Sequence, residues 1–229
     1  MIHHITWADH RMSKSAAFAK ESAKRFGCEI MDVWLAPWFE SRYRESISKD
    51  RGAGYWIWKP HIIGRALSWA KPGEYVLYTD AGVEVINSPN YLVDAMDGDI
   101  MLFGNHYQHR DWCKREVFDV LECKDGFQVQ ASAMLFRVSA ESIKFVEKWL
   151  LWCQARDFIS DKIWLEQYPG FQEHRHDQAI LTAVAQKYNL RLHWWPAVYN
   201  DGAFTYDKGT YTDSYPPIFH HHRKRNDEW

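Results

Sequence analysis

The residue best placed to do chemistry is Asp80, in the run EYVLYTDAG at 74–82. EYVLYT has the length and apolar content of a strand, so Asp80 falls at its carboxyl end, where open α/β sheets bind ligands. Ala81 and Gly82 let a ligand approach the backbone closely. A carboxylate there suits a hard divalent cation that keeps part of its water shell and bridges to phosphate oxygens. Glu84 would support it from behind. Asp80 would serve equally well as a turn or helix cap. Asp97-Gly98-Asp99 also has a DxD form. It precedes an apolar run at Ile100–Phe103, which puts it at the opposite sheet edge, as a turn.

A second cluster is RGAGYWIWKP at 51–60, two glycines and two cations ahead of a helix start. Backbone N–H groups and the helix dipole favour an anion there. Arg51 and Lys59 are candidates for a diphosphate or ribose, and Tyr55, Trp56 or Trp58 for stacking on a base or sugar. Alternate spacing on an extended segment would send one of Trp56 and Trp58 into the core. QASAMLFR at 130–137 sets Ala131, Ser132 and Ala133 ahead of an apolar strand. That allows close approach of a pyranose, or plain packing. EHRHDQAIL at 173–181 opens a helix with Asp177 in its first turn, where the dipole favours a carboxylate and the side chain could cap. His174 is expected at the surface.

The elements that must position these groups alternate. Strands are expected over Ile2–Trp7, Glu29–Leu35, 74–79, Ile100–Phe103, Gln128–Val138 and Leu190–Trp194. Helices are expected from Ser13 to Gly27, from Pro60 to Ala70, over Ser88–Met96, over Glu141–Cys153 behind a Ser139 cap, over 157–167 and over His176–Tyr188. This order predicts an α/β domain with a largely parallel sheet at its start. The irregular stretches 36–59 and 196–229 are too long for connectors and are expected to build a site.

Composition narrows the partners. The chain has 229 residues and a formal charge of −2, so no global field draws nucleic acid. Trp, Tyr and Phe make up 16% of it, which suits sugar rings and bases but also fills cores. Cys28, Cys113, Cys123 and Cys153 form no CxxC pair, and read as thiols in a reducing compartment. With no signal-peptide pattern and no apolar run long enough to span a bilayer, a cytoplasmic location is expected, with peripheral membrane contact left open.

In this order, RGAGYWIWKPHII, EYVLYTDAGVE, QASAMLFR and HDQAILTAVAQKYNL resemble small nucleotide-sugar glycosyltransferases of the GT-A type, found in bacterial and viral polysaccharide gene clusters. The resemblance covers most of the chain, from the first strand to the HHHRK tail. It implies one GT-A-like, Rossmann-like domain over 1–229 with a mixed, mostly parallel central sheet, and a tail over 205–229 closing over the site. It also implies a nucleotide-diphosphosugar donor, UDP-sugar foremost, a glycan acceptor, and Mn²⁺ or Mg²⁺. Asp80 matches the first Asp of the family's DxD; the second carboxylate is missing. A late histidine completes the metal shell in many such enzymes, so one or two of His220, His221 and His222 would join Asp80. Arg223 and Lys224 would neutralise the diphosphate, while Thr6 and Trp7 touch the base. Ala81, Ala131, Ser132 and Gln178 would line the donor site. Asp177, with His176 beside it, would face sugar and acceptor. It would act as base if the reaction inverts, or orient the sugar and stabilise charge if it retains. Trp38, Tyr107, Trp112, Trp194 or Trp195 would line an acceptor groove. A non-catalytic carbohydrate-binding protein is the alternative; a metal hydrolase is weaker, with no HExxH spacing.

Overall fold

The computed structural model describes residues 1–49, 51–199, 204–205, 207–222 and 224–229. Its strands are β1 (Ile2–Ile5), β2 (Glu29–Ile30), β3 (Tyr75–Thr79), β4 (Val83–Val85), β5 (Ile100–Gln108), β6 (Phe127–Arg137), β7 (Leu192–His193), β8 (Ala197–Tyr199), β9 (Phe204–Thr205) and β10 (Phe219–His221). The central sheet runs β2-β1-β3-β6-β5-β7. Only β6 opposes the others, so the sheet is mixed and mostly parallel, as expected. A smaller sheet runs β4-β10-β8-β9.

Period-two alternation divides the core. Val76 and Tyr78 of β3 and Met134 and Phe136 of β6 face one layer. That layer is filled by the helices Trp58–Trp69, Ala140–Cys153 and His176–Lys187 through Ile62, Ile63, Phe145, Trp149, Ile180 and Val184. Leu77, Ala133 and Leu135 face the other layer, against Val83, Val85, Trp195 and Phe219. Each large side chain buried here contributes about 1.5–3 kcal/mol. Ser139 caps the helix Ala140–Cys153 with a full capping box.

Four expectations need correction. The stretch 36–59 is not irregular: Pro37–Lys49 is a helix. Pro37 suits its first turn, and Phe39, Tyr43, Ser46 and Ile47 recur on its inner face among charged neighbours. The helix expected over 157–167 stops at Ile159. Its backbone is taken by side chains from elsewhere: the buried Lys114 ammonium donates to the carbonyls of Asp157, Ser160 and Lys162 at 2.7, 2.6 and 2.9 Å. Glu116 accepts the N–H groups of Trp164 and Leu165 at 2.6 and 2.8 Å. β2 ends at Ile30, opposite His4, and after one more bond, from the Met31 N–H to the His4 carbonyl at 3.1 Å, the chain leaves the sheet. Finally, 196–229 is not wholly irregular, since it supplies β8, β9 and β10.

Strand direction positions the site. The carboxyl ends of β1 and β3 lie at one edge, and antiparallel β6 brings its amino half to the same edge, with Thr79 opposite Ala133. The Asp80 N–H donates to the Ser132 carbonyl at 2.8 Å. Asp99 lies at the other edge, where it pairs with Arg137 at 3.6 Å, as strand polarity predicted.

Candidate active site

At this edge lies a cleft of about 620 Å³, within the usual range for small-molecule sites. The helix Trp58–Trp69 projects Lys59 into it, and the helix His176–Lys187 projects Asp177. Asp177 does not cap its helix. The Trp149 indole N–H, donating to the Asp177 carbonyl at 3.0 Å, fixes the backbone there instead.

At the floor Lys59 lies between the two carboxylates. Its ammonium is 3.1 Å from Asp80 Oδ1 and 3.3 Å from Asp177 Oδ2, and donates to the Ala131 carbonyl at 3.1 Å. The Tyr78 hydroxyl donates to Asp80 Oδ1 at 2.5 Å. The two acids therefore differ. Burial opposes the Asp80 charge, but Lys59 and Tyr78 more than offset it and hold its pKa below the ordinary carboxylate value. Burial dominates at Asp177, and with Asp80 nearby lifts its pKa to about 7 against the pull of Lys59. For Lys59 the two acids outweigh burial and push its pKa up, so it stays charged.

Beside the floor the chain makes a left-handed turn. Gly52, Ala53, Gly54, Tyr55 and Trp56 have φ of 64°, 51°, 89°, 56° and 60°. Each non-glycine in this region costs about 1–2 kcal/mol, and strain of this kind gathers at functional sites. The turn is held by Trp58 Nε1 donating to the Gly52 carbonyl at 3.0 Å and by packing of the His176 ring on Tyr55 and Trp56, at 4.7 and 5.6 Å between centroids. A Cβ on Gly52 would come within 2.3 Å of the Trp56 indole. Gly52→Val should therefore break the turn, lower Tm, and expose Trp56 to an aqueous fluorescence quencher. Wild-type quenching and Tm would show that the turn does not depend on this glycine.

The wall brings together Trp7, Arg51, Lys59, Asp80, Ala81, Ala131, Ser132, His176, Asp177, Gln178 and His221 of the residues expected at the site. Others lie elsewhere. Thr6 is buried at the end of β1, outside the wall, and Tyr55 packs behind on His176. Lys224 turns to the Trp229 ring, 5.1 Å away. Arg223 lies outside the described residues. Of the aromatics expected in an acceptor groove, Tyr107 reaches the cleft, Trp112 packs behind it at 4.7 Å, Trp194 and Trp195 are core, and Trp38 is on the surface. His174 is buried, not exposed: its Nδ1 accepts from the Lys114 N–H and its Nε2 donates to the Phe158 carbonyl.

The three C-terminal histidines separate by strand alternation. β10 pairs antiparallel with β4, just after Asp80, setting His221 opposite Val83 on the cleft side. His220 faces the other way, onto Glu84 at 3.1 Å. His222 packs against Phe18 and Trp229. A cation cage of Asp80 with His220, His221 and His222 therefore does not assemble. Among the described residues no three His, Cys, Asp or Glu side chains group as metal ligands. The chemistry of the floor also opposes Mn²⁺ or Mg²⁺ there. Asp80 Oδ1 already accepts from a hydroxyl and an ammonium, and the repulsion of an ion of charge two by that ammonium about 4 Å away, on the order of 8 kcal/mol, cancels the attraction of one floor carboxylate.

Residues missed by sequence reasoning include Arg11, Arg175 and Arg225 on the cleft wall. Arg175 lies over the Tyr107 and Trp112 rings, at 5.3 and 4.4 Å. Its place in the HRHD string, two residues before Asp177, was the available signal.

No protein-family model matches the sequence, and no curated protein does. Solved structures do. The bifunctional glycosyltransferase WbbM superposes with a TM-score of 0.54 at 12% identity, over 98% of this chain and 45% of that one. A glycosyltransferase involved in glycosylation of the major capsid of PBCV-1 gives 0.52 at 11%, over 96% and 92%. An active-site mutant of LgtC gives 0.50 at 14%, over 98% and 88%. This chain spans less than half of WbbM. At these identities the likeness carries the fold, which is the α/β fold of GT-A glycosyltransferases.

Proposed function

We propose that the protein is a glycosyltransferase that moves a sugar from a nucleotide-diphosphosugar, UDP-sugar foremost, to a glycan hydroxyl. The observation that carries this reading is the convergence of Asp80, Asp177 and His221 on one cleft whose wall, among the described residues, holds five cationic side chains against three carboxylates, with Glu173 pairing Arg51 and Arg175 from outside it. An excess of positive charge suits a diphosphate. A non-catalytic carbohydrate-binding protein has no need to bring these three groups together.

In the reaction the bond from the anomeric carbon to the diphosphate oxygen breaks, and its electron pair leaves with that oxygen. The acceptor oxygen bonds to the anomeric carbon, and its proton passes to a carboxylate, for which Asp177 is the candidate. Developing charge on the leaving oxygen is stabilised by pre-placed cations; Arg51, Arg175 and Arg225 stand on the wall for this. Trp7 is placed to stack on the base, and the small Ala131 and Ser132 leave room for the sugar. His176 has its Nδ1–H on the Ile159 carbonyl at 2.9 Å and holds the left-handed turn against the cleft. Among the described residues no helix is long and apolar enough to cross a membrane.

The test is a panel of nucleotide-sugars incubated with the protein, read as release of nucleoside diphosphate. Slow hydrolysis of one donor identifies the class and the donor together. Tight binding of free glycans with no turnover of any donor would favour the binding-protein reading.

A further inference from the structure

We propose that Lys59 holds the cation position of this cleft, so that the protein takes a nucleoside diphosphate without a divalent metal ion. The inference deepens the glycosyl-transfer reading, and rests on it for the identity of the ligand. It stands on geometry. An ammonium has three donors, and three oxygens surround this one: Asp80 Oδ1, Asp177 Oδ2 and the Ala131 carbonyl, at 3.1, 3.3 and 3.1 Å. Its side chain is 4% exposed. The Trp56 and Tyr78 rings lie 5.9 and 5.8 Å from Nζ and wall it in. Lys59 thus bridges two carboxylates from separate elements, as a bound ion would.

The donor set left for a metal is thin. Tyr78 and Lys59 occupy Asp80 Oδ1, His220 is turned to Glu84, and His222 is packed among rings. Charge is met another way. Lys59 cancels one of the two floor carboxylates; Arg51 and Arg175 share a single carboxylate, Glu173, at 3.1 Å each, so that with Arg225 the wall keeps permanent positive charge. Guanidinium groups offer a phosphate paired hydrogen bonds that need no metal.

Two measurements on the purified protein decide it. Electron paramagnetic resonance of Mn²⁺ with wild-type protein alone should show the free ion. Calorimetric affinity for UDP should differ by less than about threefold between EDTA and Mn²⁺, because no ion adds to binding. Lys59→Gln frees both carboxylates beside His221. It should capture Mn²⁺, lose about tenfold or more in UDP affinity in EDTA, and regain it with Mn²⁺. A bound-ion spectrum in wild type, or UDP binding abolished by EDTA, would overturn the inference. If the variant does not fold, the wild-type measurements decide alone. If wild type binds no UDP under either condition, the UDP-donor reading fails. The Mn²⁺ spectrum then still judges the role of Lys59: bound ion in wild type against it, free ion for it.

Discussion

Asp177→Asn should lower turnover by roughly 10²-fold or more, the loss typical of a general base or a charge stabiliser, while donor affinity stays near wild type. The same substitution should make the protein more stable at pH 8. Asp177 has a pKa of about 7 in the fold against 3.8 as a free side chain, chiefly because it is buried. A carboxyl whose pKa is raised by folding binds its proton more tightly in the native state. Its contribution is therefore fully present below pH 4 and is lost as pH rises through 7. Asparagine does not titrate, so the gap in stability between variant and wild type should open from pH 4 and level off above pH 7. At one unit per 1.36 kcal/mol, that gap reaches at most about 4 kcal/mol. Steady-state release of nucleoside diphosphate, and Tm across pH 5.5–8 where the fold persists, check the two halves separately. Full turnover in the variant would remove Asp177 from the chemistry. A gap in Tm that does not change with pH would mean the carboxylate is not held at a cost.

Sequence and structure agree where local pattern and tertiary demand coincide. β3 was legible because EYVLYT alternates between two cores and ends on Asp-Ala-Gly. That same ending located Asp80, and strand polarity separated it from Asp99. The helix Pro37–Lys49 was hidden by charge density, although its i, i+4, i+7 face was present in the string. The lost helix after Ile159 had no local signal: its carbonyls are held by Lys114, more than forty residues away in sequence. The glycines of RGAGYW marked a special backbone, but not that Ala53, Tyr55 and Trp56 follow them into the left-handed region. That turn exists only because the Gly52 carbonyl meets the Trp58 indole and Tyr55 meets His176. Selection of one histidine from three needed the pairing of β10 with β4, a contact between segments 136 residues apart. The triad of Lys59, Asp80 and Asp177 was legible as three candidates and illegible as a unit. Nothing in the string says that Lys59 reaches the sheet edge at the same depth as both acids.

The largest expected effect on stability comes from histidines away from the cleft. His61 Nε2 accepts from the Ala36 N–H at 3.2 Å, His109 Nδ1 from the Gln128 amide at 3.2 Å, and His174 Nδ1 from the Lys114 N–H at 3.3 Å. A ring nitrogen that accepts from N–H cannot carry a proton, so these rings are neutral in the fold. His4 is buried on the Thr79 hydroxyl at 2.9 Å. Burial, the largest cause in each case, lowers the pKa of His4 to about 3 and of His61 and His109 to about 4, with His174 also well below 6.5. Here the unfolded chain binds protons that the native state refuses, so stability falls as pH drops below 6.5. From pH 6.5 to 5 each of His4, His61 and His109 removes about 1.6 kcal/mol, because the unfolded ring is half protonated at the start of that interval, and His174 acts in the same direction. Asp177 moves the opposite way over that interval and offsets about one of the three. The remainder from those three, about 3 kcal/mol with His174 adding to it, is a large part of the total stability of about 5–15 kcal/mol of an ordinary domain. A marked fall in stability between pH 6.5 and 5, above the range where paired carboxylates titrate, is the expected result, read by denaturant unfolding followed with tryptophan fluorescence and circular dichroism. In His109→Asn the amide oxygen takes the acceptor place of Nδ1 without titrating. Its stability should fall less steeply below pH 6.5, whatever it loses in packing at pH 7. A wild-type stability that does not fall between pH 6.5 and 5, or an unchanged acid slope in His109→Asn, would show that these rings accept protons without leaving the fold.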